Sequence, residues 1–257
     1  MTTEHCTVET ADHIMTVTIN RPERLNALHP PANAELGRVF DDFAADGDLW
    51  VAIITGAGRA FSAGNDLRYQ AEGGTRVATP RGFGGLTSRF DLLKPVIAAV
   101  NGVAMGGGFE IARACDLIVA SDKAVFALPE PKVGLAALAG GLQRLPRQIG
   151  SKRALGMILT GRHVGPHEGY DLGFVNEVVP HDELMARTRA WAMQMLACSP
   201  VSLRTSKDVV YRGLDTASLQ ESMQADYETV RQLVKSEDFI EGPKAFSEKR
   251  TPNWTGR

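Results

Sequence analysis

The chain has 257 residues, 44% of them hydrophobic, with 28 basic against 30 acidic side chains and a net charge of −2. That length suits one α/β domain, alone or with an appendage, and the interspersed charge leaves no basic face for nucleic acid or an anionic membrane. Three cysteines, Cys6, Cys115 and Cys198, lack CxxC spacing and an accompanying histidine cluster, so they support neither a disulfide frame nor a zinc site and fit a reducing compartment. The polar N-terminus, MTTEHCTVETADH, has no basic-then-apolar leader pattern, and no apolar run approaches 18 residues. The expectation is a soluble cytoplasmic protein that needs no membrane.

Residues 14 to 19, IMTVTI, have strand composition, and residues 32 to 45 carry a helical apolar period through Leu36, Val39, Phe40 and Phe43. The runs at 51 to 55, 95 to 100 and 116 to 121 are short and almost wholly apolar, as in strands covered on both faces. Their alternation with helical or glycine-rich segments predicts stacked β/α units with parallel pairing. Beyond about residue 140 strand-like runs nearly vanish, and helices are predicted over 142 to 149, 152 to 159, 182 to 196, 201 to 211 and 219 to 234. The final stretch carries Phe239, Ile240, Phe246 and Trp254 at a spacing suited to a helix that packs against something else.

Two glutamates carry the most chemical information. Glu110 follows the triplet Gly106, Gly107 and Gly108, which places it in the first turn of a helix, where free N–H groups and the helix dipole favour negative charge. Glu130 stands between Pro129 and Pro131. Brought into one apolar pocket, two carboxyl groups resist ionising together, and one is pushed toward an acid-ready form. Taken singly, a Glu in a first helical turn is usually a dipole-compensating surface residue, and one between prolines a solvated loop residue.

Other motifs fail on inspection. TGAGRAF at 55 to 61 begins like a dinucleotide fingerprint, but Phe61 fills the third small position. AFSAG at 60 to 64 lacks the first glycine of a nucleophile elbow, which leaves Ser62 a structural residue. The glycine triplet has no lysine with which to grip a nucleotide triphosphate. GRHVGPHEG holds too many helix breakers for His163 and His167 to share a helix face, so both read as loop residues.

Taken together, NRPERLNAL at 20 to 28, AFSAGNDL at 60 to 67, KPVIAAVNGVAMGGGFEIARACDLIVAS at 94 to 121, FALPEPKVGL at 126 to 135 and GGLQRLPRQIG at 140 to 150 resemble the crotonase (enoyl-CoA hydratase/isomerase) superfamily, in order and spacing, from about residue 7 to 250. The resemblance implies a spiral of ββα units over residues 1–198 and a helical oligomerisation region over 199–257. It also implies a homotrimer or dimer of trimers acting on acyl-CoA thioesters without metal or redox cofactor. It places an oxyanion hole on the backbone N–H groups of Asn65 and Gly107, and the acid/base pair on Glu110 and Glu130. In the hydratase mechanism so implied, Glu110 helps deprotonate a water attacking C3 and Glu130 delivers a proton to C2.

The resemblance also places CoA along Arg24, Leu25, Ala27, Ala63, Asp66 and Leu67. Phe246 and Lys249 either close the CoA site of a neighbouring subunit or simply pack within a helix. Arg24 and Arg68 either pair CoA phosphates or are solvated. Short-chain hydratases read GTIPGAGGTQRL where this chain reads GLAALAGGLQRL, so Ala137 and Leu138 replace Pro-Gly and Leu138 is expected to narrow the acyl pocket or displace the catalytic water. The segments FALPEPKVG and SEDFIEGPKAFSEKRTPNWTGR are similar to carnitinyl-CoA dehydratase-like members of the family. Arg113 and Arg144 are expected either to read a polar acyl group or to serve as surface or helix-end residues. The expected activity is hydration of an enoyl-CoA or dehydration of a 3-hydroxyacyl-CoA; the alternatives are a Δ3,Δ2-enoyl-CoA isomerase and a catalytically silent acyl-CoA-binding protein.

Overall fold

The computed structural model describes residues 3–74 and 79–257. Strands β1 (Cys6–Ala11) and β2 (Ile14–Ile19) form an antiparallel hairpin, and after helix α1 (Pro30–Ala45) strand β3 (Val51–Gly56) runs parallel to β2. Three successive units then repeat one pattern. Strand β3 hands over to short β4 (Ala60–Ser62) and helix α2 (Leu67–Ala71); β5 (Val96–Val100) hands over to β6 (Val103–Met105) and α3 (Gly107–Ala114). Strand β7 (Leu117–Ser121) hands over to β8 (Val125–Ala127), a 3-10 turn at Glu130–Val133 and α4 (Gly141–Ile149). The first strand of each unit joins a six-stranded sheet and the second a three-stranded parallel sheet, β4-β6-β8. Helices α5 (Ser151–Thr160) and α6 (Pro166–Leu172) follow, and β9 (Glu177–Val179) completes the large sheet in the order β1-β2-β3-β5-β7-β9.

The corner between sheets is held by side chains that stand in for backbone. Asn101 accepts the Gly56 N–H through Oδ1 and donates to the carbonyls of Gly58 and Ala60, while Asn26 donates to Ala57 and Ala60. Glycine is required here, because a Cβ on Gly56 would stand 2.2 Å from the Ala60 oxygen and one on Gly102 2.1 Å from the Arg59 oxygen. The apolar strand runs are covered on both faces, as expected of parallel sheets. One face of the large sheet joins the main core with Leu36, Phe40 and Phe43 of α1, and the other, through Ile53, Ile97 and Val119, lies beneath helix α7 (Leu184–Leu196).

Helix α8 (Pro200–Leu214) anchors the C-terminal region to the body, since Lys207 donates to the Lys94 carbonyl and to Asp116. The helix predicted over 219 to 234 is two: α9 (Leu219–Gln224) and α10 (Glu228–Leu233). The chain breaks between them to bury Tyr227 and to let Thr229 donate to Asp208, which a continuous helix would prevent. Helix α11 (Glu237–Ser247) leaves Phe239, Ile240 and Phe246 exposed. His167 is helical, correcting the loop expectation, because Pro166 sits at the first position of α6 where its missing N–H costs nothing; His163 remains outside the helix. Among the described residues, no helix is long and apolar enough to cross a membrane.

The rings of Phe109, Phe126 and Phe174 stand 5.1 to 5.2 Å apart and join α3, β8 and the α6–β9 connection. Phe109 and Phe126 are fully buried, so Phe126→Ala leaves a cavity and is expected to cost about 3–5 kcal/mol in urea denaturation; a cost below about 1 kcal/mol would mean that the cluster closes over the gap.

Candidate active site

Two backbone segments meet at the centre of the small sheet because two glycines have no Cβ. A Cβ on Gly64 (φ +88°) would fall 2.6 Å from the Met105 oxygen and 2.8 Å from the Gly107 nitrogen, and one on Gly108 would fall 2.0 Å from the Ser62 oxygen. A Cβ on Gly107 would strike the Phe83 ring at 2.4 Å. Residues on either side of Asn65 are pinned: the Gly64 carbonyl accepts from Leu28, and the Asp66 N–H donates to the Leu28 carbonyl. Among the hydrogen bonds of the described residues, the N–H groups of Asn65 and Gly107 have no protein acceptor. Two unengaged donors beside the N-terminus of α3 are suited to stabilising a negative oxygen.

Glu110 lies in the first turn of α3, as the sequence predicts, but faces inward at 4% exposure. Its Oε1 accepts the Gly141 N–H at 2.8 Å. Burial raises its pKa to about 7, and the nearby Glu130 adds to the rise, while the Gly141 N–H holds it back. Burial likewise raises the pKa of Glu130, whose Oε2 is buried without a hydrogen-bond partner. Gly106 (φ +53°) gives Glu130 its room, since a Cβ there would stand 3.0 Å from Oε1. Both glutamates open on one cavity of about 430 Å³. Two carboxyl groups with raised proton affinity facing one space can divide the roles of acid and base near neutral pH.

Of the residues predicted for the site, Ala63, Asn65, Leu67, Gly107, Glu110, Glu130 and Leu138 line this cavity. Leu138 is 73% exposed on the rim of the cavity, while the backbone N–H that meets Glu110 at 2.8 Å is that of Gly141. Arg24, Leu25, Ala27, Asp66, Arg68, Phe246 and Lys249 do not line it. The Leu25 carbonyl instead accepts from Ala63, and the buried Asp66 carboxylate caps α2 at the Tyr69 N–H and pairs with Arg21 at 3.2 Å. Phe246 and Lys249 lie exposed at the end of α11. Ser62 is structural as expected, donating to the Asn26 carbonyl and accepting from Gly64.

Phe83 and Tyr69 also line the cavity and were not singled out by the sequence. Phe83 is set by a glycine-rich turn whose geometry the sequence does show as RGFGGL. Gly85 (φ +70°) lies against the backbone of α1, the Gly84 N–H donates to Asn33, and the Phe83 N–H donates to Thr87. Arg113 stands in the last turn of α3, the helix-end place expected of it, but is 2% exposed and lies outside the cavity; Arg144 reaches the Thr87 carbonyl and the Phe90 ring rather than the cavity.

A carboxyl group whose pKa is higher in the folded than in the unfolded chain stabilises the fold least once pH exceeds both values. Glu110→Gln is therefore expected to be more stable than the parent by roughly 2–3 kcal/mol at pH 8, the gap closing as pH falls through 7 toward 4.5. Paired urea titrations across that window check it, and a gap independent of pH would remove the case for a buried, proton-hungry Glu110.

The geometry agrees with independent likeness. The model of the enoyl-CoA hydratase/isomerase family matches residues 9–257. Carnitinyl-CoA dehydratase of Escherichia coli O157:H7 is 45% identical over 255 residues, covering 95% of each chain, and that of Citrobacter koseri is 44% identical over the same share. Among solved structures, an enoyl-CoA hydratase from Mycobacterium tuberculosis H37Rv superposes with a TM-score of 0.93 at 36% identity over 98% of this chain and 99% of its own. A probable enoyl-CoA hydratase/isomerase from Mycobacterium abscessus gives 0.92 at 36% identity over the whole of both chains. The paired strands, the glycine-built meeting of backbones and these matches along the full length establish that the chain belongs to the enoyl-CoA hydratase/isomerase family, with the crotonase fold.

Proposed function

We propose that the chain reversibly adds water across the 2,3-double bond of an acyl-CoA thioester, acting as an enoyl-CoA hydratase or 3-hydroxyacyl-CoA dehydratase. The observation that carries this reading is the pair of buried carboxyl groups, Glu110 and Glu130, opening on one cavity beside two unengaged backbone donors. The thioester oxygen is received by the N–H groups of Asn65 and Gly107. Each such donor is typically worth about 3–4 kcal/mol to an enolate-like transition state. Glu110, held by Gly141, takes a proton from the water that attacks C3, and Glu130 gives one to C2; dehydration runs the same steps backward. General acid–base help of this kind contributes roughly 10²–10⁴ in rate, and these side chains supply it with no cofactor of their own.

The relatives' names and the cavity agree on a first substrate to try. Among its described lining residues the only carboxyl groups are the two glutamates and there is no Lys, Arg or His, while Tyr69 and Phe83 supply aromatic faces. That lining suits a neutral or cationic acyl group of the carnitinyl type better than an anionic one. Leu138 on the rim, with Val133 and Leu135, sets which acyl groups enter. We further propose that residues 199–257 form the oligomerisation region of a homotrimer or dimer of trimers, which would cover the exposed Leu219, Met223, Ile240 and Phe246 and let Phe246 and Lys249 close a neighbour's CoA site.

Loss of enoyl-thioester absorbance with crotonyl-CoA, longer, branched and aromatic 2-enoyl-CoAs and carnitinyl-type substrates tests the reaction. Faster turnover of 3-enoyl substrates would favour an isomerase, and binding without turnover across the panel a silent acyl-CoA binder. Glu130→Gln should lower kcat at least 10²-fold while leaving acyl-CoA affinity within about threefold, and undiminished turnover would withdraw its role. Leu138→Ala is expected to shift relative kcat/KM toward bulkier acyl groups by about tenfold, at the low end of the roughly 1–3 kcal/mol that one methylene is worth in an apolar pocket because the site is on the rim.

A further inference from the structure

Arg113 is one of the largest side chains this fold buries completely, and it stands one helical turn beyond Glu110 on α3. Buried arginines are ordinarily paired with a carboxylate. Here the polar partners among the described residues are uncharged: Nε donates to the Gln148 Oε1 at 3.0 Å, Nη1 donates to the Gly141 carbonyl at 3.3 Å, and Nη2 has none. The guanidinium also lies over the Phe109 ring, 5.4 Å from its centre. Burial and the neighbouring Arg144 lower its pKa to about 9, with Glu110 acting the other way, so it stays cationic at neutral pH.

Its two partners lie at opposite ends of α4. Gly141 is the first residue of that helix and Gln148 belongs to its last turn. Gly141 is also the residue whose N–H meets Glu110 at 2.8 Å, and no side chain can help fix it, because a Cβ there would stand 2.7 Å from Ala137 and 2.9 Å from the Glu110 oxygen. Gly140 before it adopts φ +101°. A helix start made of two glycines is the softest backbone a chain can supply, and Arg113 grips it from behind.

We propose that Arg113 is a positioning residue for Glu110: by clamping α4 through Gly141 and Gln148 it aims the Gly141 N–H at the Glu110 carboxylate and keeps that carboxylate available as a base. The charged groups around Glu110 in the described structure are Glu130 from the 3-10 turn, Arg113 from its own helix and Arg144 from α4. Of these, Arg113 alone also holds the residue that donates to Glu110. The inference rests on the hydratase reading only for what Glu110 does to water; the clamp itself is testable without turnover.

The test follows the Glu110 carboxyl carbon by NMR in protein labelled with ¹³Cδ-glutamate, the resonance assigned by its loss in Glu110→Gln. Arg113→Met keeps the volume but loses the charge and both hydrogen bonds. Losing a cation and loosening an N–H donor both favour the protonated form, so the midpoint should rise by about one pH unit, a tenfold gain in proton affinity. Gln148→Leu, at an exposed position, releases one anchor and should raise it by about half a unit, or threefold. An upward shift in folded Gln148→Leu, which keeps the Arg113 charge, supports the clamp, whereas a shift confined to Arg113→Met is accounted for by the lost charge and overturns it. Midpoints in every folded variant within about 0.2 unit of the parent, including the case in which Arg113→Met fails to fold and Gln148→Leu is unshifted, reduce Arg113 to a structural residue and overturn it. If the parent turns over no substrate of the panel while the midpoint shifts, the clamp stands and the hydratase reading falls.

Discussion

Everything the site can do depends on the close passage of two backbones, the turn at Gly64 and the start of α3 at Gly107. Their separation is smaller than any side chain at 64 or 108 would permit. That contact brings two N–H groups from different ββα units side by side, and it anchors the helix that carries Glu110. The remaining parts of the site are set from this reference. Phe83 lies against Gly107, Glu130 fills the space left by Gly106, and Gly141 caps the Glu110 carboxylate from the neighbouring unit.

The repeat is what makes such a meeting possible. Each unit delivers a strand to the large sheet and the next few residues to the small one, so three successive corners stack and the ends of β4, β6 and β8 converge. Asn26 and Asn101 supply the hydrogen bonds that the backbone forgoes at a corner. A buried corner without them would leave several carbonyls unsatisfied, each costing about 1–3 kcal/mol. The site is thus assembled from elements far apart in sequence but one repeat apart in space.

Much of this was legible in the residues. The strands at 14–19 and 96–100 and the core face of α1 show in their apolar patterns, because burial on one or both faces leaves a period of two, a continuous run or a period of 3.6. The edge strand β1 did not show, since all but Cys6 of it is solvated, and its turn uses Asp12 and His13 at positive φ where a glycine would have announced a hairpin. The break between α9 and α10 was hidden because it is driven by burial of Tyr227 and a hydrogen bond from Thr229 to a residue 21 positions away. At the site, the glutamates and glycines were visible because their spacing is unusual, whereas the structural part Asp66 plays was not: its carboxylate is a helix cap and an ion-pair partner. Gly141 lay inside a recognised motif, but only the fold shows that its amide meets a carboxylate 31 residues earlier.

The same burial that readies the glutamates for proton transfer works against the stability of the fold. A carboxylate removed from water without a counter-charge is costly to ionise, and a second one nearby raises that cost. An ion pair to Glu110 would relieve it, but would also hold its proton affinity down near that of an ordinary surface glutamate and so spoil it as a base near neutral pH. The structure takes an intermediate course. It offers Glu110 backbone N–H groups, that of Gly141 foremost and that of Ala139 second, and it places a cation close enough to act through the Gly141 amide yet not in contact with the carboxylate. A dipole moderates the charge where a salt bridge would quench it, which is why the guanidinium of Arg113 is worth burying with one nitrogen left unbonded.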